Sequence, residues 1–295
     1  MKTLTIFTPT YNRAHTLART YQSLCNQKNK DFEWLIIDDG STDKTREIVK
    51  QWICEADFKI HYTFKENGGL YTGYNTAYAK IETELNVCID SDDYMPENAI
   101  ELIINHWKTF GGNKYAGIIG LDFYHNKRTP IGGYFPKELQ DVFLLDLYTK
   151  KIHFGDTKQV MRTDLMKKVA PMEGFPNEKN FNPIYLLLQV CDEYPLLVLN
   201  ENLCFVDYQE NDSMSKAIYQ QYRNSPKSLV KQRLLEMSLK RSNLKNNFRI
   251  AIHYVSSCIF AKDRQWFMKS PKKMLTFCAI PFGIILNLYI RYKTR

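Results

Sequence analysis

Three carboxylates stand within four residues at Asp90-Ser91-Asp92-Asp93, directly after the apolar run Val87-Cys88-Ile89. Like charges this close repel one another unless a cation or well-placed donors compensate. Hard oxygen ligands select Mg²⁺ or Mn²⁺, ions that keep several waters and bind substrate phosphates together with one or two carboxylates. A diphosphate is the natural companion of such a cluster. The plainer alternative is a solvated acidic turn that caps the next helix.

Three further stretches carry unusual residues: Thr8-Pro9-Thr10-Tyr11-Asn12-Arg13, Asp38-Asp39-Gly40-Ser41 and Glu66-Asn67-Gly68-Gly69. Each alone reads as a turn. Their placement argues for more, because each follows an apolar run of strand length at 4–8, 32–38 and 59–64, and the acidic cluster ends a fourth at 85–90. In open α/β sheets ligands sit beyond the carboxyl ends of the strands. No Gly-x-Gly-x-x-Gly follows the first run and no Gly-Lys-Ser/Thr loop occurs, so dinucleotide and P-loop enzymes are disfavoured and the phosphates fall to a metal.

The elements that must position these loops alternate, as expected of β-α units on a mainly parallel sheet. A fifth strand is expected at 115–121. Ile48, Val49, Trp52 and Ile53 give one apolar face of a helix that starts after the capping oxygens of Ser41-Thr42-Asp43. Pro96 suits the first turn of a helix over 97–110. Residues 126–150, with Pro130, Gly132-Gly133 and Pro136, read as an irregular or hairpin-like excursion, and 171–183 as a second proline-broken stretch.

The net charge of +8 conceals an asymmetry: residues 221–295 hold 16 Lys or Arg against Glu236 and Asp263, a local +14, which leaves −6 for residues 1–220. A domain boundary is placed near residue 220, with a donor half at 1–125, an acceptor half at 126–220 and a helical, basic region at 221–295. Within that region the uncharged segment 274–290 falls short of the ~20 residues that cross a bilayer. Pro281, Gly283 and Asn287 interrupt it, Lys272-Lys273 precede it, and Arg291, Lys293 and Arg295 follow. A helix lying in an anionic membrane interface is expected, with a buried core helix second and a true span last. The seven cysteines are odd in number and lack a Cys-x-x-Cys pair, and no secretory signal opens the chain, so a reduced, cytoplasmic protein is expected, peripheral on the inner face of the cell membrane.

Taken in order, Phe7-Thr8-Pro9-Thr10-Tyr11-Asn12-Arg13, Trp34 through Asp43, Lys65-Glu66-Asn67-Gly68-Gly69 and Ile89-Asp90-Ser91-Asp92-Asp93 resemble the family 2 glycosyltransferases with the GT-A fold. The likeness covers roughly residues 3–125, and continues more weakly through Gly155-Asp156 and Met161-Arg162-Thr163-Asp164, a pattern of some polysaccharide-synthesis members. The resemblance implies an inverting transfer of a sugar from a nucleotide-sugar, a UDP-sugar first, to a glycan or lipid-linked acceptor hydroxyl. It implies that Tyr11 stacks on the base, that Asp39 accepts a hydrogen bond from it, and that Pro9 and Arg13 line the donor pocket with Asn67 and Asn75 nearby. Asp92, helped by Asp90 or Asp93, would bind Mn²⁺ or Mg²⁺ against the diphosphate, and Asp156 would lie on the acceptor side. The general base expected after the second proline-broken stretch is missing, since Phe181-Asn182-Pro183 runs into Ile184-Tyr185. Glu178 is the favoured substitute, ahead of Glu173 and the pair Asp192-Glu193.

Two other readings compete. A sugar nucleotidyltransferase would share the carboxylates and magnesium, but opens with a glycine-rich basic loop that Pro9-Thr10-Tyr11-Asn12 does not provide. A non-catalytic module tethered by its basic region to lipid or nucleic acid would leave the acidic cluster without a purpose, and no nucleic-acid partner is expected.

Overall fold

The computed structural model describes residues 2–207 and 218–294. Arg295, named above as a flanking charge, lies outside them. The chain runs β1 (Leu4–Thr10), α1 (Ala14–Cys25), β2 (Phe32–Asp38), α2 (Thr45–Glu55), β3 (Lys59–Phe64), α3 (Leu70–Lys80), β4 (Leu85–Cys88) and α4 (Ala99–Phe110). It continues with β5 (Gly117–Tyr124), β6 (Asp141–Val142), α5 (Leu144–Thr149), β7 (Thr157–Arg162), α6 (Thr163–Val169), α7 (Ile184–Glu193) and β8 (Leu196–Val206). The helices α8 (Ile218–Asn224), α9 (Pro226–Ser238), α10 (Leu244–Ala261), α11 (Trp266–Lys269) and α12 (Lys273–Lys293) follow.

The strands form one sheet in the order β3-β2-β1-β4-β7-β5-β8-β6. β1 to β4 are mutually parallel, so their carboxyl ends share one edge, and β7 is inserted antiparallel between β4 and β5. Helices cover both faces. On one, Leu17, Leu24, Val49, Ile100 and Trp107 meet Leu4, Ile6, Trp34 and Val87 of the sheet. Tyr21 stacks on Trp52 with ring centroids 4.4 Å apart, and the Trp34 indole N–H donates to Thr8 Oγ1 at 3.0 Å, which satisfies the one polar atom of a fully buried ring. On the other face Ala77, Leu147, Met166 and Leu186 meet Phe7, Ile37 and Ile119.

Pro9 sits in β1, at the centre of the sheet, where proline would ordinarily break a ladder. Phe7 and Pro9 share the edge that faces β4, and β4 ends at Cys88, opposite Phe7. The missing N–H therefore breaks no strand pairing. The departures from sequence expectation are local: Ile53 of α2 is 44% exposed rather than part of the apolar face, and α4 starts at Ala99, whose N–H donates to Pro96 O. The 126–150 excursion also contains the short helix α5.

Beyond residue 218 the helices build a separate apolar cluster from Val230, Met237, Ile250, Ala251, Tyr254, Cys258 and Ala279. Gly283 lets α12 approach α10, since a Cβ there would stand 2.5 Å from Val255 Cβ. His253 of α10 is half-buried in this bundle, with its Nδ1 2.7 Å from the Tyr222 hydroxyl of α8. Burial first, then the charges of Arg233 and Arg249, push its imidazole down to about 4. An unfolded histidine titrates near 6.5, so the unfolded chain binds the extra proton first as pH falls. Stability from this group is complete above about pH 6.5 and is lost between there and about pH 4, by at most ~1.4 kcal/mol per pH unit. Urea melts from pH 7.5 to 5 should show this decline, and His253→Gln should flatten it; an unchanged slope in the variant assigns the decline to other groups.

Candidate active site

Four loops meet at the carboxyl edge of β1 to β4, and the chain ties them to one another before any ligand arrives. Asn12, in left-handed backbone at φ 54, accepts from the Thr42 N–H at 2.8 Å, while its own N–H donates to Ser41 Oγ at 2.9 Å. This docks the β1 loop on the β2 loop and leaves Tyr11 48% exposed at the edge.

Asp39 organises the β2 and β3 loops. Its carboxylate accepts from Lys65 Nζ at 2.5 Å, the N–H groups of Gly68 and Gly69 at 3.0 and 2.8 Å, Asn67 Nδ2 at 3.2 Å and Thr72 Oγ1 at 3.4 Å. A carboxylate offers about four lone-pair sites. These donors fill them, so Asp39 shapes the pocket rather than presenting an open acceptor to a base. Asn67 is spent likewise, its Oδ1 accepting from Lys179 Nζ at 2.6 Å. Asn75 exchanges two hydrogen bonds with the Met172 backbone, at 2.9 and 2.7 Å, and so fastens the 171–183 stretch to α3 instead of facing the donor loops.

The acidic loop is anchored through its backbone. Arg19 Nη2 donates to the Asp92 carbonyl and Thr20 Oγ1 to the Asp93 carbonyl at 2.7 Å, an anchoring by α1 that sequence reading missed. Anchored this way, the carboxylates are left to other duties. Asp90 is exposed and Asp92 half-buried. Burial raises the Asp92 carboxyl, the Asp90 charge raises it further, and the charges of Arg13 and Arg19 pull it down.

Behind the loop opens a cavity of about 400 Å³, lined among others by Asp90, Asp93, Asp122, Asp156, Lys158 and Asn182. Lys158 Nζ lies 3.9 Å from Asp93 Oδ2 and 3.8 Å from Asp122 Oδ2. Burial works against its charge, but Asp122, Asp93 and Asp90 together hold the ammonium well above its ordinary range. Burial likewise lifts Asp122 to about 6, with Lys158 pulling down and Asp156 and Asp90 pushing up. Burial lifts Asp93 as well, to about 8, with Lys158 pulling down and Asp90, Asp122 and Asp92 pushing up, and the four carboxyl groups outnumber the one ammonium in the cavity wall. Lys158 was not singled out from the sequence, although it shares a strand face with the fully buried Val160. The Gly155-Asp156 turn presses so closely on Ile131 that a Cβ on Gly155 would stand 1.7 Å from the Ile131 carbonyl oxygen, which brings Asp156 to the cavity wall.

Glu178 is elsewhere. Its two carboxylate oxygens accept from the N–H groups of Lys227 at 3.0 Å and Ser228 at 2.7 Å, capping the first turn of α9. The expectation that it serves as general base gives way to a helix-capping role, and Asn182, not Glu178, reaches the cavity. The other substitutes are engaged similarly: Glu173 pairs with Lys231 at 3.2 Å, Asp192 accepts from the Lys240 N–H at 3.1 Å, and Glu193 pairs with Lys240.

A mainly parallel sheet flanked by helices, with an acidic loop at its carboxyl edge, defines the GT-A architecture. Residues 5–169 match the family model of glycosyl transferase family 2, and the chain belongs to that family. It is similar to the poly(ribitol-phosphate) β-N-acetylglucosaminyltransferase TarP of Staphylococcus aureus, 32% identical over 126 residues, 41% of this chain and 38% of TarP. It is also similar to the glycosyltransferase GlyA of Streptococcus pneumoniae, 32% identical over 100 residues, 34% of this chain and 14% of GlyA. The matches therefore span well under two thirds of these relatives. Among solved structures, S. aureus TarS 1–349 in complex with UDP-GlcNAc shares the fold with a TM-score of 0.60 at 19% identity, over 95% of this chain and 79% of that one. The mannosyltransferase of Pyrobaculum calidifontis in complex with GDP-Man and Mn²⁺ does so with a TM-score of 0.56 at 14% identity, over 97% of this chain and 87% of that one. Family membership sets aside the nucleotidyltransferase reading.

Proposed function

We propose that the protein transfers a sugar from a nucleotide-sugar, a UDP-sugar first, to a hydroxyl of a glycan or lipid-linked acceptor, with inversion at the anomeric carbon. The observation that carries this reading is the meeting of exposed Tyr11, the Asp39-centred loops and the Asp90-Ser91-Asp92-Asp93 turn on one sheet edge, with an acidic cavity directly behind. The name of the relative TarP supports a role in polysaccharide synthesis.

Among the described residues no three Asp, Glu, His or Cys side chains form a complete metal cage. Mg²⁺ and Mn²⁺ do not need one, since they are commonly held by one or two carboxylates and the substrate's phosphates. Asp92 with Asp90 beside it fits that demand, because burial and the Asp90 charge both leave the Asp92 carboxylate in want of a counter-charge. A cation held there supplies charge neutralisation to the departing diphosphate.

The chain's own residues do the rest. Tyr11 stacks on the base, and Asp39 fixes the loops around it. An acceptor hydroxyl entering the cavity attacks the anomeric carbon as the bond to the diphosphate breaks, and its proton passes to a carboxylate. Of the four in the cavity wall, Asp93 and Asp122 are buried against Lys158 and Asp90 belongs to the diphosphate side. Asp156, exposed at the wall, is the base we assign. The product would be a glycoside and a free nucleoside diphosphate.

The test is nucleoside diphosphate release, with the donor-binding constant measured alongside, for wild type and Tyr11→Ala. Loss of a stacking ring should weaken binding by ~1–3 kcal/mol, and by the same amount for every sugar carried on one nucleotide. A loss confined to one sugar places Tyr11 at the other end of the donor.

A further inference from the structure

The helix α12 is built with its large apolar side chains facing outward. Its inward seam against α10 is small or polar: Thr276, Ala279, Gly283 and Asn287 are buried, with Ile290 closing the row. Asn287 Nδ2 donates to the Ser256 carbonyl of α10 at 3.2 Å, and Ser270 Oγ lies 2.6 Å from Thr276 Oγ1 at the helix start. The outward seam runs Met274, Cys278, Pro281, Ile285, Leu288 and Tyr292, spaced alternately four and three residues apart, with Phe277 and Ile284 beside it. Met274 is 86% exposed, Phe277 65%, Ile285 64%, Leu288 61% and Tyr292 71%. A helix so arranged leaves its costliest surface in water, and a continuous apolar stripe of this length marks an interaction site.

What covers the stripe follows from charge. Lys272 and Lys273 stand exposed at one end of α12, and Arg291 and Lys293 at the other. The acidic residues of 221–295 are both consumed internally, Glu236 by Arg233 at 2.6 Å and Asp263 by Lys269 at 2.7 Å. A second copy of the chain would present the same unbalanced positive rim, in either orientation of two α12 helices. An anionic bilayer surface presents the complement: phosphates for the rim and acyl chains for the stripe. At the α12 start an open groove of about 620 Å³ runs between Leu244, Pro271, Met274 and Leu275, with Lys272 and Lys273 beside it, the same pairing of apolar wall and cation.

By length and composition alone α12 could cross a membrane. Its inward seam is already committed to α10, so the helix has one apolar face to offer, not a full circumference.

We infer that α12 docks the protein on anionic lipid bilayers, lying in the interface with its outward seam among the acyl chains and its basic ends among the headgroups. The inference stands on α12 alone and is independent of the proposed sugar transfer. Co-flotation of the full chain with vesicles of phosphatidylcholine, with and without phosphatidylglycerol, tests it. The expected result is binding at low salt that requires phosphatidylglycerol and weakens as salt rises. Lys272→Glu with Lys273→Glu should weaken it about tenfold or more, and both sites are exposed. Ile285→Ser with Leu288→Ser should weaken it comparably while leaving the melting temperature unchanged. Absence of flotation with phosphatidylglycerol vesicles at low salt overturns the inference. So does retention through alkaline carbonate extraction, which marks a spanning helix, or a concentration-dependent dimer that the serine variant dissociates, which marks a second copy as the occupant.

Discussion

Asp156→Asn is expected to lower kcat by about 10²–10⁴-fold while leaving donor affinity unchanged. The reasoning is positional. Asp156 is carried to the cavity wall by the Gly155 turn against Ile131, and it is the exposed carboxylate of that wall that lies outside the acidic loop. Asparagine keeps its shape and hydrogen-bonding reach but cannot take the acceptor's proton. Glu178→Gln is the matched comparison. It weakens the carboxylate cap on the Lys227 and Ser228 N–H groups, so the melting temperature should fall, by a destabilisation of about 0.5–2 kcal/mol, with kcat of the folded enzyme retained. Steady-state kinetics with thermal melts on both variants separate the roles. A collapse of kcat in Glu178→Gln with normal turnover in Asp156→Asn would return the base to Glu178.

Asp92→Asn is expected to reduce turnover by at least about 10²–10³-fold, the scale of removing a single charge-stabilising group from a transition state. It should also remove the part of donor binding that depends on Mn²⁺. In the absence of donor the variant should be as stable as wild type or more so. Burial and the neighbouring Asp90 both disfavour the Asp92 carboxylate, so neutralising it relieves strain that the fold otherwise bears. Loss of function with retained or raised melting temperature is the signature of a group kept for chemistry rather than for structure. Retained Mn²⁺-dependent donor binding in Asp92→Asn would move the metal away from this loop.

The donor half was legible because its signals are local. β2 and β3 occupy the residues that alternation and turn chemistry mark out, 32–38 and 59–64, and the loops beyond them carry the polar residues that betray the ligand edge. The acceptor half was not legible in the same way. β7 reads Thr-Lys-Gln-Val-Met-Arg, with two adjacent apolar residues and no alternation, because it is sandwiched antiparallel between β4 and β5 and its lysine is balanced by Asp93 of the acidic loop and Asp122 of β5. Nothing within six residues of sequence announces such a long-range balance. Glu178 and Asn75 were misread for a related reason. Each is a polar side chain in the right region, and a sequence does not reveal that Glu178 is consumed by a helix start some 50 positions later or Asn75 by a carbonyl 97 positions away. The outward apolar seam of α12 was visible as composition, but its direction was not. Only the packing of Gly283 on Val255 decides which face looks out.

The central claim, that the carboxyl edge of β1 to β4 binds a nucleotide-sugar with a divalent cation, is tested most directly by thermal shift with UDP-, GDP-, CMP- and dTDP-sugars, each with and without Mn²⁺. Saturation at about 100 times Kd adds ~2.7 kcal/mol of stability, a rise of several degrees. The account predicts that rise for one nucleotide class, UDP-sugars first, only when Mn²⁺ is present, and its loss in Asp92→Asn. No shift with any of the four donors in the presence of Mn²⁺, or an equal shift in Asp92→Asn, would contradict it.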